Sequence, residues 1–152
     1  MKKFNFKLEP LLEYRQRLED ILKKDLAEAG RLLDIEEGKL QNLRTTHSAS
    51  ITAVERLKGE DNNTEELKLY YNYLVGLKAY IEEQAQMVAE SREVYEGQRQ
   101  KLVESARDRR AVELVKERAQ KLHETEENRE DQKITDDIGS SRFIRGVISE
   151  EG

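Results

Sequence analysis

The stretch that decides the fold runs from residue 26 to residue 57 and reads LAEAGRLLDIEEGKLQNLRTTHSASITAVERL. Residues at alternating steps of three and four form one stripe along it: Leu26, Ala29, Leu33, Glu36, Leu40, Leu43, His47, Ser50, Val54 and Leu57. Seven of these ten residues are apolar, and a seven-residue apolar repeat gives an α-helix one face that packs on another helix. The stretch therefore predicts one helix of a coiled coil.

A second stripe with the same repeat follows the one strong turn signal in the body of the chain, Gly59-Glu60-Asp61-Asn62-Asn63-Thr64. One heptad position holds Leu67, Leu74, Ile81, Val88, Tyr95 and Leu102, and its companion holds Tyr70, Leu77, Gln84, Ser91, Gln98 and Ser105. Because the connection is short, the two helices should be antiparallel neighbours. The sequence predicts an all-α fold, a long antiparallel two-helix coiled-coil hairpin.

Pairing across the turn predicts which residues face each other. If Leu57 lies opposite Leu67, the facing pairs are Leu43 with Ile81, Leu22 with Leu102, and Leu11 with Val112. Two irregularities are expected. The step Leu18–Leu22–Leu26 contains an extra residue, which predicts a stutter, and the second stripe breaks at Arg109 and resumes shifted, through Val112, Val115, Ala119 and Leu122.

Turn and capping residues set the predicted boundaries. These are an N-terminal arm at 1–9, a coiled coil at 10–133 (first helix about 10–58, turn 59–64, second helix about 64–133), and a flexible, loosely ordered tail at 134–152. Pro10 suits the first turn of a helix, and Gly59 can end one. Asn63 or Thr64 can cap the second helix.

Composition excludes several classes of protein. Charged residues make up 39% and hydrophobic residues 36% of the chain, which is too little apolar surface for a thick core but enough for a seam. The two charge signs are interleaved and the net charge is −5, which argues against a nucleic-acid partner. No apolar run is long enough for a membrane span or a signal peptide, and cysteine is absent, so we expect a cytoplasmic protein.

The sequence predicts no catalytic residue, no cofactor and no metal. A phosphate-binding glycine loop is missing, and His47 and His123 are the only histidines. His47 lies on the apolar stripe, where a seam histidine is expected rather than a catalyst. His123 has metal-ligand spacing with Glu126 and Glu127, but in a glutamate-rich segment these carboxylates are more simply solvating groups.

Two aromatic segments are candidates for protein binding. Tyr73 and Tyr80 lie seven residues apart and off the seam, either as ordinary decoration of a helix or as an exposed patch for a partner. The segment Phe4-Asn5-Phe6-Lys7-Leu8 either folds back on the seam or is presented to a partner. The residues alone leave both questions open.

Three separated pieces of the sequence share a pattern with a known family. They are Phe4-x-Phe6-x-Leu8-Glu9-Pro10-Leu11-Leu12-x-Tyr14-Arg15, then Tyr70-Tyr71-Asn72-Tyr73-Leu74-Val75-Gly76-Leu77-x-x-x-Ile81, and finally Glu127-Asn128-Arg129-Glu130-Asp131-Gln132-Lys133-x-x-Asp136-Asp137 with Arg142-Phe143. In this order and at this chain length they resemble the FliJ family of flagellar type III export proteins.

The resemblance implies a central stalk and adaptor for the flagellar type III protein export ATPase. Its implied partners are the hexameric ATPase ring, whose assembly it promotes, the cytoplasmic domain of the export gate protein, and export chaperones. The implied location is cytoplasmic, peripherally associated through these partners with the inner face of the cell membrane at the flagellar base.

The resemblance also implies two sets of binding residues. Export-gate binding falls on Leu43, Tyr73, Leu77, Tyr80 and Gln84, with Thr46 and Ser50 where aromatic residues would be expected. ATPase-ring binding falls on Phe4, Phe6, Leu8, Leu11, Leu12 and Tyr14. A self-associating coiled-coil scaffold and a general holdase chaperone are the alternative functions.

Overall fold

The chain folds into two helices. The computed structural model describes residues 2–60 and 64–151, in which α1 covers Glu9–Lys58, α2 covers Thr64–Glu150, and no strand occurs. Two compact units are present: unit 1 is Met1–Arg17 with Ala106–Gly152, and unit 2 is Leu18–Ser105. Because the two helices pack against each other, the predicted all-α helical hairpin is confirmed.

The ends of α1 are closed by backbone hydrogen bonds. At its start the Glu9 N–H donates to the Phe6 carbonyl at 3.1 Å, and Pro10 follows in the first turn, where its missing donor costs nothing. At its end the Gly59 N–H donates to the Arg56 carbonyl at 3.2 Å, which tightens the last turn. The predicted cap at Asn63 lies outside the described residues.

In unit 2 the seam follows the predicted stripes. Every stripe position from Leu26 to Leu57 on α1, and from Leu67 to Ser105 on α2, is buried or half-buried. The most deeply buried apolar side chains are those of Ala29, Leu40, Val54, Leu77 and Val88. One contact agrees with the predicted pairing to within one position, whereas the Gln84 amide bonds Glu36, four positions from Leu40, which the pairing places opposite it. That pairing places Gly30 opposite Val94, and a Cβ at Gly30 would lie 3.4 Å from the ring of Tyr95.

A hydrogen-bonded polar pair lies inside the seam of unit 2. The Gln84 side-chain amide donates to the Glu36 backbone carbonyl at 3.0 Å and to its Oε2 at 2.5 Å. Gln84 is buried, so this pairing supplies the partners that its amide would otherwise find in water. The Gln84 amide, and after it the Lys39 ammonium group, hold the pKa of Glu36 below its ordinary value.

In unit 1 the N-terminal arm folds back on α2. The Phe4 ring packs edge-on against His123 with centroids 5.5 Å apart, and the Lys116 ammonium lies 6.0 Å from the centre of the buried Phe6 ring. Lys116 Nζ also lies 2.8 Å from Glu9 Oε2. Of the two positions considered for the arm, the structure therefore shows the folded-back one.

The predicted break in the second stripe at Arg109 is wrong. Residues Arg109, Val112, Lys116, Ala119 and His123 are all half-buried and continue the steps of three and four, whereas Val115 and Leu122 are 46% and 62% exposed. Long charged side chains can cover a seam with their aliphatic stems while their charged ends reach carboxylates. Arg109 does so with Glu113 at 2.6 Å.

The predicted stutter in α1 is also wrong. In unit 2 the seam position is occupied by Glu19, which is only 7% exposed and whose carboxylate lies 3.5 Å from the Lys23 ammonium group. Leu18, the residue expected at this position, is half-buried next to it. In unit 1 the buried residue is Leu12 at 4% exposure, whereas Leu11, expected to face Val112, is 37% exposed. A buried glutamate is not visible in an apolar pattern, so the apparent step was misplaced.

The C-terminal segment differs from the predicted tail. Helix α2 continues through residues 134–150, although its expected end was about Lys133. Gly139 and Gly146 each cost a helix roughly 1 kcal/mol relative to alanine, but no proline follows to stop it. Every described side chain after Glu127 is exposed, so this part of α2 is helical without burying an apolar face.

Candidate functional site

The five predicted gate-binding residues do not share one surface. Tyr73 and Tyr80 are 49% and 64% exposed, whereas Leu77 and Gln84 are buried in the seam at 5% and 9%, and Leu43 is half-buried there. Only the two tyrosines are therefore available to a partner. Leu77 and Gln84 lie in the seam, where they pack the part of α2 that carries the tyrosines against α1.

A groove lies beside these tyrosines in unit 2. Its walls come from both helices: Ala53, Arg56 and Leu57 of α1, and Glu66, Leu69, Tyr70 and Tyr73 of α2. Leu69 is 69% exposed, which is high for a large apolar side chain on a helix that has a seam elsewhere. Apolar walls with one arginine and one glutamate at the rim suit a protein partner better than a small charged substrate.

The six predicted ring-binding residues lie together in unit 1, but they are divided in exposure. Leu8, Leu11 and Tyr14 are exposed by 44%, 37% and 54%, whereas Phe6 and Leu12 are buried and Phe4 is half-buried. The exposed three are available for contact. Phe4 and Phe6 attach the arm to α2 through His123 and Lys116, and Leu12 is a buried residue of α1.

An apolar cluster that the sequence analysis missed lies near the end of α2. Phe143, Ile144, Val147 and Ile148 are exposed by 73%, 57%, 41% and 66%, and spacings of one, four and five residues put them on one broad side of the helix. These four residues share a side only in a helix, and the sequence predicts a loosely ordered tail at 134–152. A helical reading of the last nineteen residues would have brought these four together.

No three metal-ligating side chains come together among the described residues. The His123 Nε2 atom lies 3.9 Å from Glu127 Oε1. Neither helix, over its described length, has a segment apolar enough to cross a bilayer. What the surface does offer is exposed apolar and aromatic side chains on helices, the chemistry of protein binding.

Comparison with known families decides the assignment. The family model described as "Flagellar FliJ protein" matches residues 4–147. The chain belongs to the FliJ family. Membership in the FliJ family implies association with the type III export apparatus. It also confirms the resemblance drawn from the three sequence pieces.

The other two comparisons add little to the FliJ assignment. No curated protein sequence matches the chain. Among solved structures, a Chlamydia trachomatis protein described as a YscO homolog, CT670, is similar at 18% identity, with 99% of this chain and 100% of that chain covered and a TM-score of 0.46.

Proposed function

We propose that this FliJ-family protein is the central stalk and adaptor of the flagellar type III export ATPase. It would promote assembly of the hexameric ring and link it to the export gate and to export chaperones. The observation that carries the proposal is the family match over residues 4–147, on a fold of two packed helices. Its place would be cytoplasmic, held at the inner face of the membrane by these partners.

Unit 1 would supply the contacts with the ATPase ring. Both ends of the chain belong to this unit, and its exposed apolar residues include Leu8, Leu11 and Tyr14 as well as the C-terminal cluster at 143–148. Two helices cannot present the same surface to six identical subunits. Such a stalk would bias the six active sites differently, which is how it would stimulate hydrolysis without catalytic residues of its own.

Tyr73 and Tyr80 would supply the contact with the gate protein. Tyrosine is enriched at binding hot spots because its ring is large and its hydroxyl group tolerates water. Leu77 and Gln84 would act indirectly, by fixing the helix that carries the tyrosines.

The decisive experiment measures the ATP hydrolysis rate of the cognate export ATPase with and without this protein, and counts ring particles by electron microscopy. Stimulation together with more six-membered rings is expected. A variant with Leu11→Ser and Tyr14→Ser should lose most of the stimulation, whereas the matched control Val75→Ser with Val103→Ser, in unit 2, should retain it.

Absence of both stimulation and binding would reject the stalk function. Light scattering at several concentrations would then test the scaffold alternative, because a stalk should be monomeric alone. Suppression of aggregation of unrelated clients, without any effect on the ATPase, would favour the holdase alternative.

A further inference from the structure

Unit 2 has two different long edges beside its seam. Arg92 pairs with Glu37 at 2.7 Å on one edge, where charged side chains of the two helices join across the seam. Ala53 and Tyr73 line a common groove on the other. We call the side that carries Tyr73 the tyrosine edge.

The seven-residue repeat extends the tyrosine edge along both helices. The positions in step with Tyr73 on α2 are Tyr80, Met87 and Val94, which are exposed by 64%, 44% and 58%. In step with Ala53 on α1 are Thr46, Lys39 and Leu32, and the next column outward adds Leu69 on α2 and Ile21, Ile35 and Ala49 on α1.

Exposed apolar residues are concentrated on this edge. Among the described residues of unit 2, twelve large apolar side chains are exposed: Ile21, Leu32, Ile35, Ile51, Leu69, Tyr71, Tyr73, Val75, Tyr80, Met87, Val94 and Val103. All but Ile51, Tyr71, Val75 and Val103 lie on the tyrosine edge, although it holds only two of the five heptad positions outside the seam. An even spread over those five positions would put about five of the twelve on this edge, so eight is an enrichment.

The shape of the edge suits an elongated partner. On α1 the edge carries the small residues Thr46, Ala49 and Ala53, and on α2 it carries the large Tyr73 and Tyr80; Ala53 and Tyr73 line the same groove. The stripe from Leu69 to Val94 is about 38 Å long at the helical rise of ~1.5 Å per residue. A partner helix would contact such a surface through side chains spaced three, four and seven residues apart.

The charges beside the stripe are unequal on the two helices. Glu83 and Glu90 are seven residues apart on the α2 rim, and both are exposed. On α1 this edge carries Lys39, which lies 3.2 Å from Glu36, and Arg56, which lines the groove; on α2 the Gln86 amide donates to Glu90 Oε1 at 3.4 Å. The rim beside α2 thus offers carboxylates at the spacing of a heptad.

We infer that the tyrosine edge of unit 2 binds one amphipathic α-helix of a partner protein, whose apolar stripe is flanked by lysine or arginine. The partner helix lies along both α1 and α2 and completes a three-helix coiled coil. Its apolar residues cover Tyr80, Met87 and Val94, and its basic residues meet Glu83 and Glu90.

This inference shares Tyr73 and Tyr80 with the proposed gate contact and in that respect rests on the proposed function. Met87, Val94 and the two glutamates belong to it alone. A test on those four residues therefore fails or succeeds separately from the stalk activity measured on the ATPase.

The test uses two synthetic helical peptides of about 25 residues with the same apolar heptad stripe, one flanked by lysine and one by glutamate. Each carries a fluorescent label, and its anisotropy is measured at low salt as the full-length protein is added. The lysine peptide should bind, and the glutamate peptide should bind at least about tenfold more weakly.

Substitutions locate the binding. Met87→Ala with Val94→Ala should weaken binding of the lysine peptide about tenfold, whereas Val75→Ala with Val103→Ala, equally apolar and outside the edge, should leave it unchanged. Glu83→Lys with Glu90→Lys should reverse the preference between the peptides. Circular dichroism should show the same helix content in all three variants, because the residues are exposed.

Three outcomes would overturn the inference. They are absence of binding by the lysine peptide, equal loss in the Val75 and Val103 control, and a preference that survives reversal of the two rim charges. Sedimentation would reveal a fourth: a dimer that the Met87 and Val94 variant dissociates would make a second copy of this chain the occupant.

Discussion

Glu36 and Gln84 join the two helices of unit 2 through hydrogen bonds inside the seam. The amide lowers the pKa of Glu36 by stabilising its charged form, with Lys39 adding to the effect. A carboxyl group whose pKa is lower in the folded than in the unfolded state contributes stability above its unfolded pKa. That contribution is lost as pH falls through the folded pKa.

We therefore expect Glu36→Gln to reduce the pH dependence of folding. For the native protein, the free energy of unfolding should fall as pH drops below the ordinary value of 4.5, and the variant should lose less over the same window. Urea unfolding at neutral pH and at successive acidic pH values measures this. Glu83→Gln removes the same charge from an exposed position and is the control; identical slopes for both variants would contradict the prediction.

Leu77 and Tyr80 separate a structural role from a binding role. Leu77 is 5% exposed, so Leu77→Ala leaves a cavity in the seam and should lower the free energy of unfolding by about 2–3 kcal/mol. Tyr80 is 64% exposed, so Tyr80→Ala should change the free energy of unfolding by less than about 0.5 kcal/mol. The same substitution should weaken the binding of any partner that contacts Tyr80. Chemical denaturation of both variants checks this, and similar losses would show that Tyr80 belongs to the core.

At the scale of the element, apolar periodicity predicts only part of what these helices do. It placed the seam of unit 2 correctly from Leu26 onward, because leucine, valine and isoleucine occupy most of those positions. It failed where Glu19, Arg109 and Lys116 take the seam, because a residue counted as polar can still bury an aliphatic stem. It also could not tell which face of α2 is left exposed beside the seam, since exposure depends on the partner helix.

The last part of α2 is a helix weakened by glycine. A Cβ added at Gly139 or Gly146 would meet no other group within 4 Å. Alanine at both positions should therefore increase the helical signal in circular dichroism and slow amide exchange in residues 134–150, with a gain of roughly 1 kcal/mol per site. Gly38→Ala, which is equally unobstructed but lies within the packed length of α1, should change exchange in this segment very little. Unchanged exchange after the double substitution would contradict the expectation.

At the scale of the whole molecule, folding and partner binding should be separable by truncation. Every described side chain beyond Glu127 is exposed, so ending the chain at Lys133 removes almost no buried surface. The midpoint of thermal unfolding should stay within a few degrees of the full-length value. Stimulation of the export ATPase should fall, because Phe143, Ile144, Val147 and Ile148 are lost.

Full-length protein with Phe143→Ser and Ile148→Ser provides the matched comparison. It keeps the chain length while removing half of the cluster, so it should reproduce the loss of stimulation in the truncated protein. A truncated protein that unfolds at a markedly lower temperature would mean that the segment stabilises the rest of the chain.

When one helix of a heptad seam shifts by seven residues along the other, apolar positions still meet apolar positions. Hairpins that are misaligned by one heptad therefore compete with the native alignment during folding. Sliding α1 by one heptad would keep most leucines in contact with apolar neighbours. It would, however, bring Ala29 or Leu43 to the place of Glu36, and the buried Gln84 amide would lose its carboxylate acceptor and keep at most a backbone carbonyl. The polar pair that interrupts the seam is thus what makes one alignment preferable to its near copies, and replacing both residues by leucine should produce a tighter hairpin that folds into a mixture of alignments.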